Sequence, residues 1–172
     1  IEVGPKTYGE IDKVFKPVRR DTLLMRYFAN RSAEQGYTDG QTYALNHLGR
    51  TYRDISEFSK SHALHKQALK IAQTAKNIEF EVYSLNMISV VFRKTDAIKS
   101  ALDYSQNALQ LAETVENPSQ GLKRSINVSL NTIGNIYQTL EQYDLAIAQF
   151  QESMRLEKEL GNKLGLAINY SN

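Results

Sequence analysis

Cysteine is absent from this 172-residue chain, so it can hold neither a disulfide nor a thiolate metal site. That suits either side of a bacterial membrane. Proline occurs three times and glycine nine times, and so few breakers favour long helices over a turn-rich fold. No run approaches the roughly 18–20 apolar residues of a membrane span; the most apolar cluster is residues 87–92. A net charge of +2 is too small to imply a polyanion partner, and no nucleic acid is expected. There is no signal-peptide pattern and no initiating Met, so the chain, opening Ile1-Glu2-Val3, reads as a piece of a longer protein. Any membrane contact is then expected through parts of the parent protein outside it. Gly-rich phosphate loops, G-x-S-x-G elbows and His–Glu zinc helices are missing as well. No catalytic residue, cofactor or metal is expected.

What the chain does have is repetition. Leu130-Asn131-Thr132-Ile133-Gly134-Asn135-Ile136-Tyr137 is matched by Leu45-Asn46-His47-Leu48-Gly49-Arg50-Thr51-Tyr52. Leu85-Asn86-Met87-Ile88-Ser89-Val90-Val91-Phe92 is a third copy. The equivalent residues Leu48, Ile88 and Ile133 stand 40 and 45 residues apart. The longer interval holds Pro118 and Gly121, which mark a longer connection and a prolonged helix after Pro118. Periodicity predicts antiparallel helix pairs at about 38–54 with 57–75, 78–94 with 96–115, and 119–139 with 141–160. Ahead of them, Ile11, Val14 and Phe15 at i, i+3, i+4 suggest a short amphipathic helix that Pro17 interrupts. A second helix over residues 18–35 would place Leu24, Tyr27, Phe28 and Arg31 on one side, with Gly36 as its stop. The expected organisation is a lead-in with capping helices over residues 1–36, repeats over 37–76, 77–117 and 118–161, and a truncated fourth repeat at 162–172. A helix cut there would expose a stacking face, through which copies could self-associate.

The copies resemble the tetratricopeptide repeat, whose signature is W-x2-L-G-x2-Y followed by A-x3-F, A and P on a helix–turn–helix unit. Leu45, Leu85 and Leu130 stand at the Trp position. Leu48-Gly49-Tyr52, Ile88-Ser89-Phe92 and Ile133-Gly134-Tyr137 stand at the Leu-Gly-Tyr positions. The small residues of the second helix are Ser61, Ala101 and Ala146, then Ala68, Ala108 and Ser153. The aromatic position holds His65, Ser105 and Phe150, so only the third unit matches it, and the closing Pro is missing throughout. Residues 49, 61 and 68 would form a notch where two helices approach closely, surrounded by Leu48, Tyr52, Leu64 and Leu69. The resemblance implies an all-α, right-handed α-solenoid of antiparallel helix pairs, a tetratricopeptide superhelix.

In this family the first helices line a concave groove. The face at i, i+3, i+7 and i+10 is Tyr43, Asn46, Arg50 and Arg53 in the first unit and Tyr83, Asn86, Val90 and Arg93 in the second. In the third it is Val128, Asn131, Asn135 and Gln138. Asn46, Asn86 and Asn131 share one column. Such carboxamides can pair with the N–H and C=O of an extended peptide, as in repeat proteins of the kinesin light chain type; equally, they can bridge neighbouring helices. Arg50, Arg53, Arg93 and Lys94 would make the groove basic and favour an acidic peptide or a C-terminal carboxylate. The carboxylate clamp of chaperone-binding relatives needs Lys where this chain has Asn46.

His62 and His65, at i, i+3, lack a third metal ligand and read as packing residues. His47 lies beside the Asn column and reads the same way. The Glu-rich run 152–159 with Arg155 and Lys158 reads as an exposed face of i, i+3 and i, i+4 pairs. Ten tyrosines invite base stacking, but Tyr52, Tyr137 and Tyr143 are accounted for by repeat packing. The expected function is protein or peptide binding. The style of residues 130–137 and 161–167 resembles repeat regions that precede a membrane span in bacterial histidine kinases and related regulators. That resemblance implies a sensory input segment, extracytoplasmic rather than cytoplasmic. The alternatives are a cytoplasmic peptide-responsive regulator and a structural scaffold.

Overall fold

The computed structural model describes residues 7–161. Among them are eight helices and no strand: α1 Tyr8–Phe15, α2 Thr22–Glu34, α3 Thr38–Asp54, α4 Phe58–Thr74, α5 Ile78–Lys94, α6 Ile98–Glu113, α7 Gln120–Thr139 and α8 Tyr143–Leu160. Each of α2 to α8 packs on its neighbour in the chain, and the first helices α3, α5 and α7 also pack side by side. The chain is an all-α repeat solenoid. The expected start of a fourth repeat at 162–172, and self-association through it, lie outside the described residues.

The small residues of the repeat set the distance between paired helices. A Cβ built on Gly49 would lie 2.5 Å from the His65 ring, and one on Gly134 would lie 2.8 Å from Phe150. In the middle pair both residues shrink to serine: Ser89 Oγ meets Ser105 Oγ and donates to the Ala101 carbonyl at 2.6 Å. Three different side-chain pairs thus fill the same notch. The apolar clusters cross the unit borders: Phe80 of α5 joins Tyr43 and Leu48 of α3, and Leu69 of α4 joins Val82, Leu85 and Ile88 of α5. No pair buries its apolar surface alone, so neighbours complete one another.

The turns repeat too. Tyr37, Glu57, Asn77, Ala97 and Gln142 each send a backbone N–H to the carbonyl five residues earlier, at 2.7–3.0 Å, closing Schellman-type ends. The residue before each donor is left-handed: Gly36 (φ 66°), Ser56 (63°), Lys76 (55°), Asp96 (64°) and Glu141 (58°). Glycine takes this conformation freely, whereas an L side chain is strained there by about 1–2 kcal/mol. Four of the five turns therefore hold strain that stacking must offset. Helix starts are supported by Asp21, Asn77 and Ser119, each accepting the N–H three residues on, and by a full capping box of Thr7 with Glu10 at α1.

Two expectations for the lead-in need correction. The second helix begins at Thr22 rather than residue 18, because Asp21 caps it and residues 16–20 form the turn after α1. Tyr27 is 64% exposed and Val14 69% exposed. The inward stripe of α1 is instead Tyr8, Ile11, Asp12 and Phe15, at i, i+3, i+4 and i+7, with Ile11 buried and the other three half-buried. Moreover, α1 does not extend the stack: it packs across the first helices, against α3 and α7, and its Tyr8 reaches Phe80 and Tyr83 of α5.

Relieving the turns should stabilise the protein. Lys76→Gly and Glu141→Gly are each expected to add about 0.5–1 kcal/mol, since the strain removed exceeds the extra freedom of the unfolded chain. Lys76→Val should lower stability. Urea melts at constant slope would read both.

Candidate functional site

The Asn column is built into the stack. Asn46 is fully buried and Asn86 is 2% exposed. The Asn46 carboxamide accepts from His65 Nδ1 of α4 at 2.8 Å and donates to Ser84 Oγ of α5 at 2.9 Å. Asn86 donates to the Ser125 carbonyl at 2.8 Å and accepts from Ser129 Oγ at 2.7 Å, both on α7. Half-buried Asn131 donates to the Asn127 carbonyl and to Ser153 Oγ of α8. These side chains join helix to helix, and their hydrogen-bonding groups are engaged inside the protein. A peptide lying on the first helices would not meet Asn46 or Asn86. The expected ligand-facing column is corrected accordingly for these two: the cost of burying a carboxamide without partners fixes them on neighbouring helices.

Tyr43 is likewise fully buried, beneath α1. Its hydroxyl donates to Asp12 Oδ1 at 2.7 Å, and the Arg19 guanidinium donates to the same oxygen at 2.7 Å. Tyr8 is the centre of an aromatic recess. Its ring lies 4.8 Å from Tyr83, 5.3 Å from Tyr43, 5.8 Å from His47 and 6.1 Å from Phe80. Its hydroxyl donates to His47 Nε2 at 2.8 Å. Further along α1, Ile11 is 3% exposed and Phe15 stacks on Phe28 at 4.2 Å. Tyr83 also accepts from Arg50 at 3.1 Å. Nothing in the repeat signature marked Tyr8, His47 or Asp12 as partners. The only available signal was the i, i+3, i+4, i+7 stripe of α1.

The remaining predicted groove residues, except Val128 in the middle of α7, lie toward the C-terminal ends of the first helices. Arg50, Arg53, Val90, Arg93 and Asn135 are partly exposed, and Gln138 and Val128 are exposed. The Nε–H groups of Arg53 and Arg93, at equivalent positions of adjacent helices, are buried with no acceptor among the described residues. Arg53 otherwise reaches its neighbour Asp54 at 3.3 Å. The structure thus separates the predicted face into an aromatic half under α1 and a basic half beyond it. Arg19, Arg20, His47, Arg50, Thr51 and Asp54 meet at the border, around a recess of about 30 Å³. That is room for a water molecule rather than a side chain. Among the other sequence candidates, His65 is fully buried, with Asn46 as its partner, and His62 sets its ring against Phe92 at 5.1 Å.

Burial, followed by the nearby arginines, holds His47 and His65 down at about 3. Neutral imidazole fits the geometry: His47 Nε2 accepts a hydrogen bond from the Tyr8 hydroxyl, and His65 Nδ1 donates one to Asn46. In the unfolded chain both would titrate near 6.5. Their contribution to stability is complete above that pH and is lost as pH falls toward 3. Asp12, lowered by Tyr43 and Arg19 against the cost of its burial, adds to the loss only below its ordinary value near 3.8. Glu79 and Glu157, raised by burial, oppose it.

A row of paired helices whose first helices also receive α1 defines the class: a helical repeat solenoid. Tetratricopeptide repeat models match residues 42–75 and 129–160, which are the α3–α4 and α7–α8 pairs, so these two pairs are tetratricopeptide repeats. Similar solved structures include BtubC (BKLC) from P. vanneervenii, at a TM-score of 0.74 and 14% identity over 88% of this chain and 62% of that one. The apo form of RapI gives 0.70 and 15% over 91% and 56%. The kinesin light chain nearly identical TPR-like repeats of Podosopora anserina give 0.53 and 14% over 90% and 86%. At such identities the likeness is one of fold, and the chain spans less than two thirds of the first two. No curated protein matches the sequence.

Two outcomes are expected. Asn46→Ala and Asn86→Ala should each cost about 1–3 kcal/mol by stranding buried partners, whereas Asn135→Ala should stay within about 0.5 kcal/mol; chemical denaturation separates them. Lowering the pH from 7.5 to 5 should destabilise the wild type more than His47→Gln, which keeps an acceptor for Tyr8 but does not titrate.

Proposed function

We propose that the chain is a protein- or peptide-binding module that works through the face of its first helices. One observation carries the reading: that face already holds a short helix, α1, through a partly buried stripe and directed hydrogen bonds. Beyond α1, Arg50, Arg53 and Arg93, with exposed Lys94 beside them, make the open half basic. Asn135 and Gln138 add uncharged hydrogen-bonding capacity along α7. An acidic segment is the complementary ligand, since guanidinium groups bind carboxylates with two parallel hydrogen bonds. The repeats at 37–76, 77–117 and 118–161 act together as one surface in this proposal, with residues 1–36 serving as lead-in and cap.

The reading is one of binding rather than catalysis. The narrower role, as the extracytoplasmic input segment of a histidine kinase, rests on repeat style alone and finds no support among the matched families or structures.

A panel of fluorescein-labelled octapeptides, acidic, neutral and basic, would test the preference by anisotropy. The acidic members should bind, weaken steeply with salt, and lose at least tenfold in affinity to the double variant Arg53→Glu, Arg93→Glu. Equal binding of all three classes would remove the charge reading.

A further inference from the structure

We propose that the aromatic recess of Tyr43, His47, Phe80 and Tyr83 is a docking site for a short amphipathic helix of a partner protein, with α1 occupying it as a replaceable stand-in. The inference rests on the reading of the first-helix face as a binding surface and names the chemistry of what binds at one end of it.

Several features set α1 apart from the helices of the stack. It has eight residues, fewer than the roughly 12–15 that an isolated helix needs even for marginal stability in water. Every other helix of the described chain packs along the row in chain order, while α1 lies across it. Its attachment to the solenoid is by side chains of the kind a ligand uses. Tyr8 inserts its ring among those of Tyr43, Phe80 and Tyr83 and donates to His47, Ile11 is buried, Asp12 accepts from Tyr43, and Phe15 stacks on Phe28. The opposite side of α1 is open, with Val14 and Lys13 exposed. Thr7 and Glu10 form a reciprocal capping box, which biases the segment toward a helix as it docks and lowers the ordering cost.

The recess also specifies its occupant. The first position takes an aromatic ring with a hydroxyl, because His47 Nε2 is a buried acceptor aimed at it. An aliphatic residue follows three positions on, a carboxylate four positions on against the Tyr43 hydroxyl, and an aromatic seven positions on. This is helix-in-groove recognition read as i, i+3, i+4 and i+7 anchors. Such a helix would displace α1 and take over the same contacts. His47, which faces Tyr8, Tyr43, Tyr83, Asp12, Arg19 and Arg50, must itself stay neutral to accept the hydroxyl of the docked ring.

The experiment uses the full chain and a fluorescein-labelled peptide copying residues 7–16. Ile11→Ser should loosen the chain's own α1 and leave the recess intact. The peptide should bind the wild type weakly, bind Ile11→Ser at least tenfold more tightly, and lose that gain in Ile11→Ser, Tyr83→Ala. Hydrogen exchange on the wild type should show the α1 amides opening at least a hundredfold faster than those of α3 and α5. Equal affinity for wild type and Ile11→Ser would overturn the proposal, as would α1 amides that exchange only with global unfolding, or an Ile11→Ser chain that fails to fold. A wild-type dimer formed by exchange of α1 between copies would make the occupant a second copy and overturn it too. Acidic octapeptides that still bind when the peptide test fails would leave the broader binding reading standing.

Discussion

A carboxamide cannot be buried without partners, and in this protein that constraint holds successive repeats together. Asn46 spans from His65 within its own pair to Ser84 in the next, and Asn86 reaches Ser125 and Ser129 across the following border. Apolar packing supplies most of the attraction between units, but it is indifferent to small slips along the helix axis. Hydrogen bonds of about 2.7–2.9 Å are not. The polar column therefore sets register, and the glycine or serine notch sets helix separation. The left-handed turns can hold non-glycine residues because both are fixed.

Committing the column to the stack changes where a ligand can act. With Asn46 and Asn86 closed inside, the usable chemistry of the inner face divides into an aromatic recess and a basic stretch. The recess is filled by the chain's own first helix, and the basic stretch is open. One face then carries two kinds of chemistry that a peptide ladder along its centre would have merged. The neutral histidines belong to the same economy. Protonating His47 would break the hydrogen bond it accepts from Tyr8, and protonating His65 would bury a charged Nε2 with no acceptor, so hydrogen bonding and burial impose the same charge state.

Much of this was legible in the residues. Three aligned copies of the Leu-Gly-Tyr segment placed the helix pairs to within a few residues, and Pro118 with Gly121 located the longer α7. The small-residue spacing located the notch at residues 49, 61 and 68, but not that the His65 and Phe150 rings fill it against Gly49 and Gly134. The direction of the Asn column did not follow, because helix periodicity gives a face and not the partner opposite it. A clue was present all the same: Ser84-Leu85-Asn86 and Ser129-Leu130-Asn131 carry serine two places before asparagine, whereas the first unit has Ala44. Serine appears only in units preceded by one that carries an asparagine. The seat of α1 was out of reach for another reason. Tyr8 and His47 are 39 residues apart, and nothing local to either announces a contact made through a helix folding back across the row.

A helix belonging to the chain lies across the first helices of its own stack. Proton–proton Overhauser contacts in the free protein test it most directly, using the ring signals of Tyr8 against those of Tyr83 and His47. Cross-peaks between these rings, lost in Tyr8→Ala, are the predicted result. A Tyr8 ring with only sequential contacts, in a protein whose α3 to α8 contacts are intact, would contradict the account.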